Sequence, residues 1–135
     1  MSGIAVFMPA VTMLYAGLLG ILLVLLAMNV VRFRLGNKVG LGVGEGGLLE
    51  QPVRVHANFT ENAPIFLVLL LVAELSGAPL AVLHAAGGVF VVARVLHAVG
   101  LSGNKGRSAG RFVGSLGTWL TILALSAYVI ARAIA

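Results

Sequence analysis

Residues 9–31 read PAVTMLYAGLLGILLVLLAMNVV, 23 consecutive positions without a charge. About 20 apolar residues in a helix cross the ~30 Å hydrocarbon core of a bilayer, so this stretch predicts a membrane-spanning helix. The residues ahead of it, MSGIAVFM, contain no Lys or Arg. A secretory signal begins with a positively charged region, and the helix is therefore expected to remain in the mature protein.

Working outward, Arg32, Arg34 and Lys38 are expected to end this helix at a membrane face. Residues 36–47, GNKVGLGVGEGG, are half glycine and predict a flexible connector. A phosphate loop built on Gly40, Gly42, Gly44 and Gly46 would need a preceding strand in a βαβ unit, and the neighbour here is a span. A second apolar segment covers residues 52–75. Its first third, PVRVHANFTEN, is polar, and an apolar run follows from Ala63 to Ala73. Pro64 removes a backbone donor there and predicts a bend. SGAP, residues 76–79, reads as a tight turn. The third helix is expected over residues 79–101 and the fourth over 111–131, joined by SGNKGRSAGR. The sequence thus predicts one domain over residues 1–135, an all-α, integral membrane four-helix bundle.

Composition agrees with that reading. Apolar residues make up 60% of the chain and charged ones 10%, with a mean hydropathy of +1.10. Soluble domains carry ~25% charged residues; nine Lys and Arg with four Glu cannot cover a water-soluble core. A disordered chain needs the opposite balance. There is no cysteine, hence no disulfide, no thiolate metal site and no cysteine nucleophile. The net charge of +5 in a membrane protein reports topology and anionic lipid contact rather than nucleic acid.

Arg32, Arg34, Lys38, Lys105, Arg107 and Arg111 fall in or beside the two long loops, and only Arg132 falls on the other side. Basic residues concentrate in cytoplasmic loops, so both termini are expected on the non-cytoplasmic side. Tyr15 and Tyr128 fall towards that side, as interfacial aromatics would, whereas Trp119 lies mid-helix. Gly106, Gly110 and Gly114 recur every four residues, a small-residue stripe suited to close helix contact.

An ionisable residue inside a span normally faces the bundle and has a partner. Arg54, Asn58 and Glu61 stand at i, i+4 and i+7, within about 60° of one helix face and over a ~10 Å rise. Arg94 and His97 lie at matching depth on helix three, and Arg111 opens helix four at the same end. Four basic groups and one carboxylate converge, a set suited to a small ligand bearing carboxylates and an ammonium. His84 reads as an inter-helix contact, and Glu74 as a solvated helix end. No His/Glu spacing fits a metal site.

The segment GVGEGG…QPVRVHANFTENAPIFLVLLLVAELSGAP resembles the MAPEG family, the membrane-associated proteins of eicosanoid and glutathione metabolism, and most closely its small bacterial members. The family pattern of Arg, Asn at +4 and Glu at +7 is matched by Arg54, Asn58 and Glu61. Its helix-three Arg with a polar or aromatic residue at +3 is matched by Arg94 and His97. The resemblance implies an inner-membrane homotrimer with glutathione as co-substrate, bound between subunits near the cytoplasmic face. Arg54, Asn58, Glu61, Arg94 and His97 would hold the tripeptide, with Glu61 receiving its amino group and the arginines its carboxylates. The Arg that stabilises the thiolate in the family's synthases is matched by Arg111, or by Arg107 if the preceding loop is aligned differently. Two family tyrosines are replaced, by Asn62 and Leu101.

The implied activity is a glutathione transferase or peroxidase acting on lipophilic electrophiles or hydroperoxides that enter from membrane lipid. The missing tyrosines favour the alternative, a non-catalytic lipid-binding scaffold of the same family. A small proton-coupled drug exporter also has four helices and one carboxylate, but such exporters carry it on helix one, which here is uncharged.

Overall fold

The computed structural model describes residues 7–103 and 108–135. Four helices follow in order, α1 (Ala10–Asn37), α2 (Glu50–Leu75), α3 (Leu80–Gly103) and α4 (Ala109–Ile134), with one turn of 3-10 helix at Glu45–Gly47 between α1 and α2. All four are long and apolar enough to cross a membrane. Among the described residues there is no strand. The α1–α2 connection, the end of α3 and the start of α4 lie at one end of the bundle, the loop end; the start of α1, the end of α4 and the Ser76–Pro79 turn lie at the other.

Charge ends the span of α1 but not the helix. Arg32 and Arg34 lie inside it, and it continues to Asn37, because helical hydrogen bonding goes on in water once the chain leaves the bilayer. Lys38 then takes a left-handed conformation (φ 55°, ψ 37°). The Val39 N–H donates to Arg34 O (3.1 Å), the reverse turn with which many helices close. Arg34 also donates to the carbonyls of Gly42 (3.1 Å) and Gly40 (3.4 Å), tying the glycine-rich connector to the helix it leaves. α2 runs through Pro64 without a break.

The core takes buried side chains from all four helices. Leu19, Phe66, Leu70, Leu83, Phe90 and Leu125 form its centre. The Phe66 and Phe90 rings stack at 3.7 Å, 7° from parallel, and join α2 to α3. α3 and α4 approach most closely through glycine. A Cβ on Gly114 would lie 2.5 Å from Ala93 O and 2.6 Å from His97 N, and one on Gly100 would lie 2.4 Å from Arg111 N. Gly110 and Gly114 thus do pack as the glycine stripe predicts, against α3; Gly106 is outside the described residues.

Two residues differ from expectation at the termini end. Glu74 is not a solvated helix end but is buried, 6% exposed. Its carboxylate accepts from the Val11 N–H (2.9 Å), the Thr12 N–H (2.7 Å) and the Thr12 hydroxyl (2.7 Å). The first turn of α1 has no cap of its own, since Pro9 precedes it; the end of α2 lies alongside and supplies one, with negative charge at the positive helix terminus. Tyr15, expected as an interfacial aromatic, is buried instead. It donates to the His84 carbonyl (3.0 Å), and its ring lies over Gly87.

Candidate functional site

The polar residues picked out on α2, α3 and α4 meet at the loop end. Arg94 is the hub. It is 2% exposed, yet its guanidinium donates to Asn58 Oδ1 on α2 (2.6 Å) and Thr118 Oγ1 on α4 (3.1 Å), and lies 3.3 Å from His97 Nδ1. One side chain therefore fixes the relative position of three helices. None of these partners is a carboxylate, and among the described residues Arg94 Nε is buried without a partner. A guanidinium desolvated in that way is costly and normally found with a compensating charge. Thr118 is held in turn, donating to Gly114 O at 2.8 Å. The close α3–α4 approach at Gly114 brings it within reach of Arg94.

In front of this buried layer opens a cavity of about 340 Å³, within the ordinary range of small-molecule sites, ~300–1,000 Å³. Its wall includes Glu50, Arg54, Asn58, His97, Leu101 and Arg111, with Gly46 and Gly47 at the rim. Gln51 donates to Leu101 O and so pins the start of α2 to the end of α3. Arg111 is presented from the first turn of α4, where Ser108 caps the helix by accepting from the Arg111 N–H (3.2 Å) while donating to Gly100 O (2.7 Å). Arg111 also lines a second, mostly apolar groove of about 870 Å³ with Phe112, Ser115, Leu116 and Trp119.

Arg54, Asn58, His97 and Arg111 thus share one cavity, with Arg94 directly behind it. Glu61 is on the same helix face but does not line the cavity; it pairs with Arg54 (Nη1–Oε1 3.6 Å) on a surface where both side chains are more than half exposed. Arg107 is outside the described residues. Sequence reasoning missed Glu50, Gln51 and Thr118. Glu50 extends the Arg54, Asn58, Glu61 stripe by one turn in the same register, and Thr118 stands one turn beyond Gly114; both spacings are visible once the helix boundaries are known.

The MAPEG family model matches residues 12–131, which include every one of these side chains. The chain belongs to the MAPEG family. It is 34% identical over 113 residues to the inner membrane protein YecN of Escherichia coli K12, spanning 84% of this chain and 85% of that one. YecN from Escherichia coli O6:H1 strain CFT073 matches to the same extent. Among the described residues of this MAPEG protein no tyrosine lines the cavity. Leu101 stands there instead, and Asn62 turns its amide to Asn58 O (2.8 Å).

Proposed function

We propose that this protein binds glutathione in the loop-end cavity and transfers its thiolate to lipophilic electrophiles, or uses it to reduce lipophilic hydroperoxides. One observation carries the reading: Arg111 is common to the polar cavity and to the apolar groove. A polar tripeptide in the first and a membrane-derived substrate in the second would meet at a guanidinium.

Arg54 and Arg111 supply cations for carboxylate and thiolate, Asn58 and His97 supply hydrogen-bonding groups, and Arg94 holds both of these in place from behind. A positive charge beside the sulfur lowers a thiol pKa from ~8.5 and populates the nucleophile. In transfer, sulfur forms the new bond to carbon as the leaving anion departs. In peroxide reduction it attacks the terminal oxygen, the O–O bond breaks and the protonated alcohol leaves; a second glutathione then attacks the sulfur of the resulting sulfenic acid, closing the disulfide and releasing water.

The exposed Arg54–Glu61 pair supports coverage of this face by another copy, as in the homotrimer that the family resemblance implies. Charged groups facing hydrocarbon are unfavourable, and a neighbouring copy laid over this face would cover them and bring Glu61 to the edge of the site. The basic loops support an orientation with the cavity at the cytoplasmic face and both termini outside.

Leu101 in place of a family tyrosine favours the second reading, a scaffold that binds without activating the thiol. Incubation of purified protein with glutathione and an apolar aryl halide separates them. Conjugate formed above the uncatalysed rate supports the enzyme; glutathione binding with neither conjugation nor hydroperoxide reduction supports the scaffold.

A further inference from the structure

We infer that His97 is a neutral hydrogen-bond donor, protonated at Nε2, to the sulfur of the bound glutathione, and that Arg94 holds it in that form. This rests on the glutathione reading. Arg94 Nη2 carries two protons and has two acceptors within reach, Asn58 Oδ1 at 2.6 Å and His97 Nδ1 at 3.3 Å. A guanidinium has donors only. Its contact with Nδ1 is thus a hydrogen bond when Nδ1 is bare, whereas a proton there would set donor against donor. Both side chains are buried, and Asn58 and Thr118 hold the guanidinium in place. With Nδ1 bare, the neutral ring carries its proton on Nε2.

That proton is available to a ligand. The ring lines the cavity, and Nε2 bonds no group among the described residues, yet it is not sealed in as Arg94 Nε is. Its place beside the reacting atoms follows from the α3–α4 contact. A Cβ on Gly114 would lie 2.7 Å from His97 Cβ, and Arg111 stands one turn before Gly114 on α4. His97 and Arg111 therefore enter the cavity from adjoining points, and Arg111 is where the polar cavity meets the apolar groove. A sulfur placed to react at Arg111 has the His97 Nε2–H as its neighbour. An imidazolium there would be a further cation beside two guanidiniums. A neutral donor offers the sulfur a hydrogen bond without that repulsion.

The test begins with nitrogen NMR of the folded protein labelled at its histidines, His97 being assigned by the loss of its signals in His97→Gln. Before any ligand is added, Nδ1 should be bare and Nε2 protonated at neutral pH. A protonated Nδ1 overturns the inference and leaves the glutathione reading standing. Glutathione should then shift the Nε2–H signal, and the analogue with methyl in place of the thiol should not; equal shifts overturn the contact with sulfur. Thiolate absorbance against pH gives the energetic side. His97→Phe keeps a ring but no donor, and should raise the pKa of bound glutathione by about one to two units, as loss of a hydrogen bond to a charged group does. Its affinity for the methyl analogue should be unchanged. His97→Gln, whose amide N–H can stand where Nε2–H stood, should recover most of the wild-type titration. Equal weakening of both ligands in His97→Phe, with the thiolate titration unmoved, is the mark of a purely structural ring and overturns the inference. Failure of the wild type to bind either ligand overturns the glutathione reading itself, and the sulfur contact with it.

Discussion

Replacing Gly114 by alanine adds one methyl group, and the structure gives it nowhere to go. The new Cβ would stand 2.5 Å from Ala93 O, 2.6 Å from His97 N and 2.7 Å from His97 Cβ. Two of these atoms are backbone of α3, so no side chain can swing away; ordinary contact, ~3.5 Å, requires the helices to separate by about 1 Å. Overpacking of this kind costs about 1–3 kcal/mol. The consequence reaches the site, because Thr118 is one turn away. Its 3.1 Å bond from Arg94 would stretch to about 4 Å, past any hydrogen bond, and leave a buried guanidinium with one acceptor fewer, about 1–3 kcal/mol more. Gly20 is the control, since a Cβ there meets nothing within 4 Å, and alanine is favoured over glycine in a helix by ~0.8–1 kcal/mol. Thermal unfolding in detergent, followed by circular dichroism, should show Gly114→Ala melting well below wild type and Gly20→Ala at or above it. Equal midpoints for all three proteins would refute the close α3–α4 contact.

Three other outcomes follow from the same geometry. Glu74→Gln removes the charge that caps α1 and should lower stability by about 1–2 kcal/mol, read as a lower unfolding midpoint with glutathione affinity unchanged. Arg111→Ala should raise the pKa of bound glutathione, because the cation that favours thiolate over thiol is gone; thiolate absorbance against pH then rises only at more alkaline values, while affinity changes little, and an unchanged titration would move the role to another cation. A C-terminal reporter active only in the cytoplasm should stay silent, and a bright signal would reverse the orientation.

The spans were legible because a bilayer imposes a length and an apolar content that residues 9–31 satisfy on sight. The α2 stripe and Arg94 on α3 were legible too, since charges are so rare in a span that Arg54, Glu61 and Arg94 stand out singly. Glu74 was misread for a physical reason. A carboxylate at the end of one helix looks solvated until another helix begins beside it with free N–H groups, and that adjacency is tertiary. Tyr15 was misplaced likewise, its hydroxyl being satisfied by the His84 carbonyl from a helix 69 residues on. Glu50 escaped notice because the polar start of α2 was read as beginning at Pro52, two residues too late. The division of labour between Arg94 behind the wall and Arg111 on it depends on side-chain burial, which spacing along one helix does not encode.

The central claim is that the loop-end cavity holds glutathione as a thiolate donor. Its most direct test is a titration of glutathione into the purified, folded protein, following heat of binding and thiolate absorbance together at a pH below the free thiol's pKa. The account predicts saturable binding with a matching rise in thiolate absorbance, both lost in Arg54→Ala. Absence of saturable binding up to millimolar glutathione would contradict it.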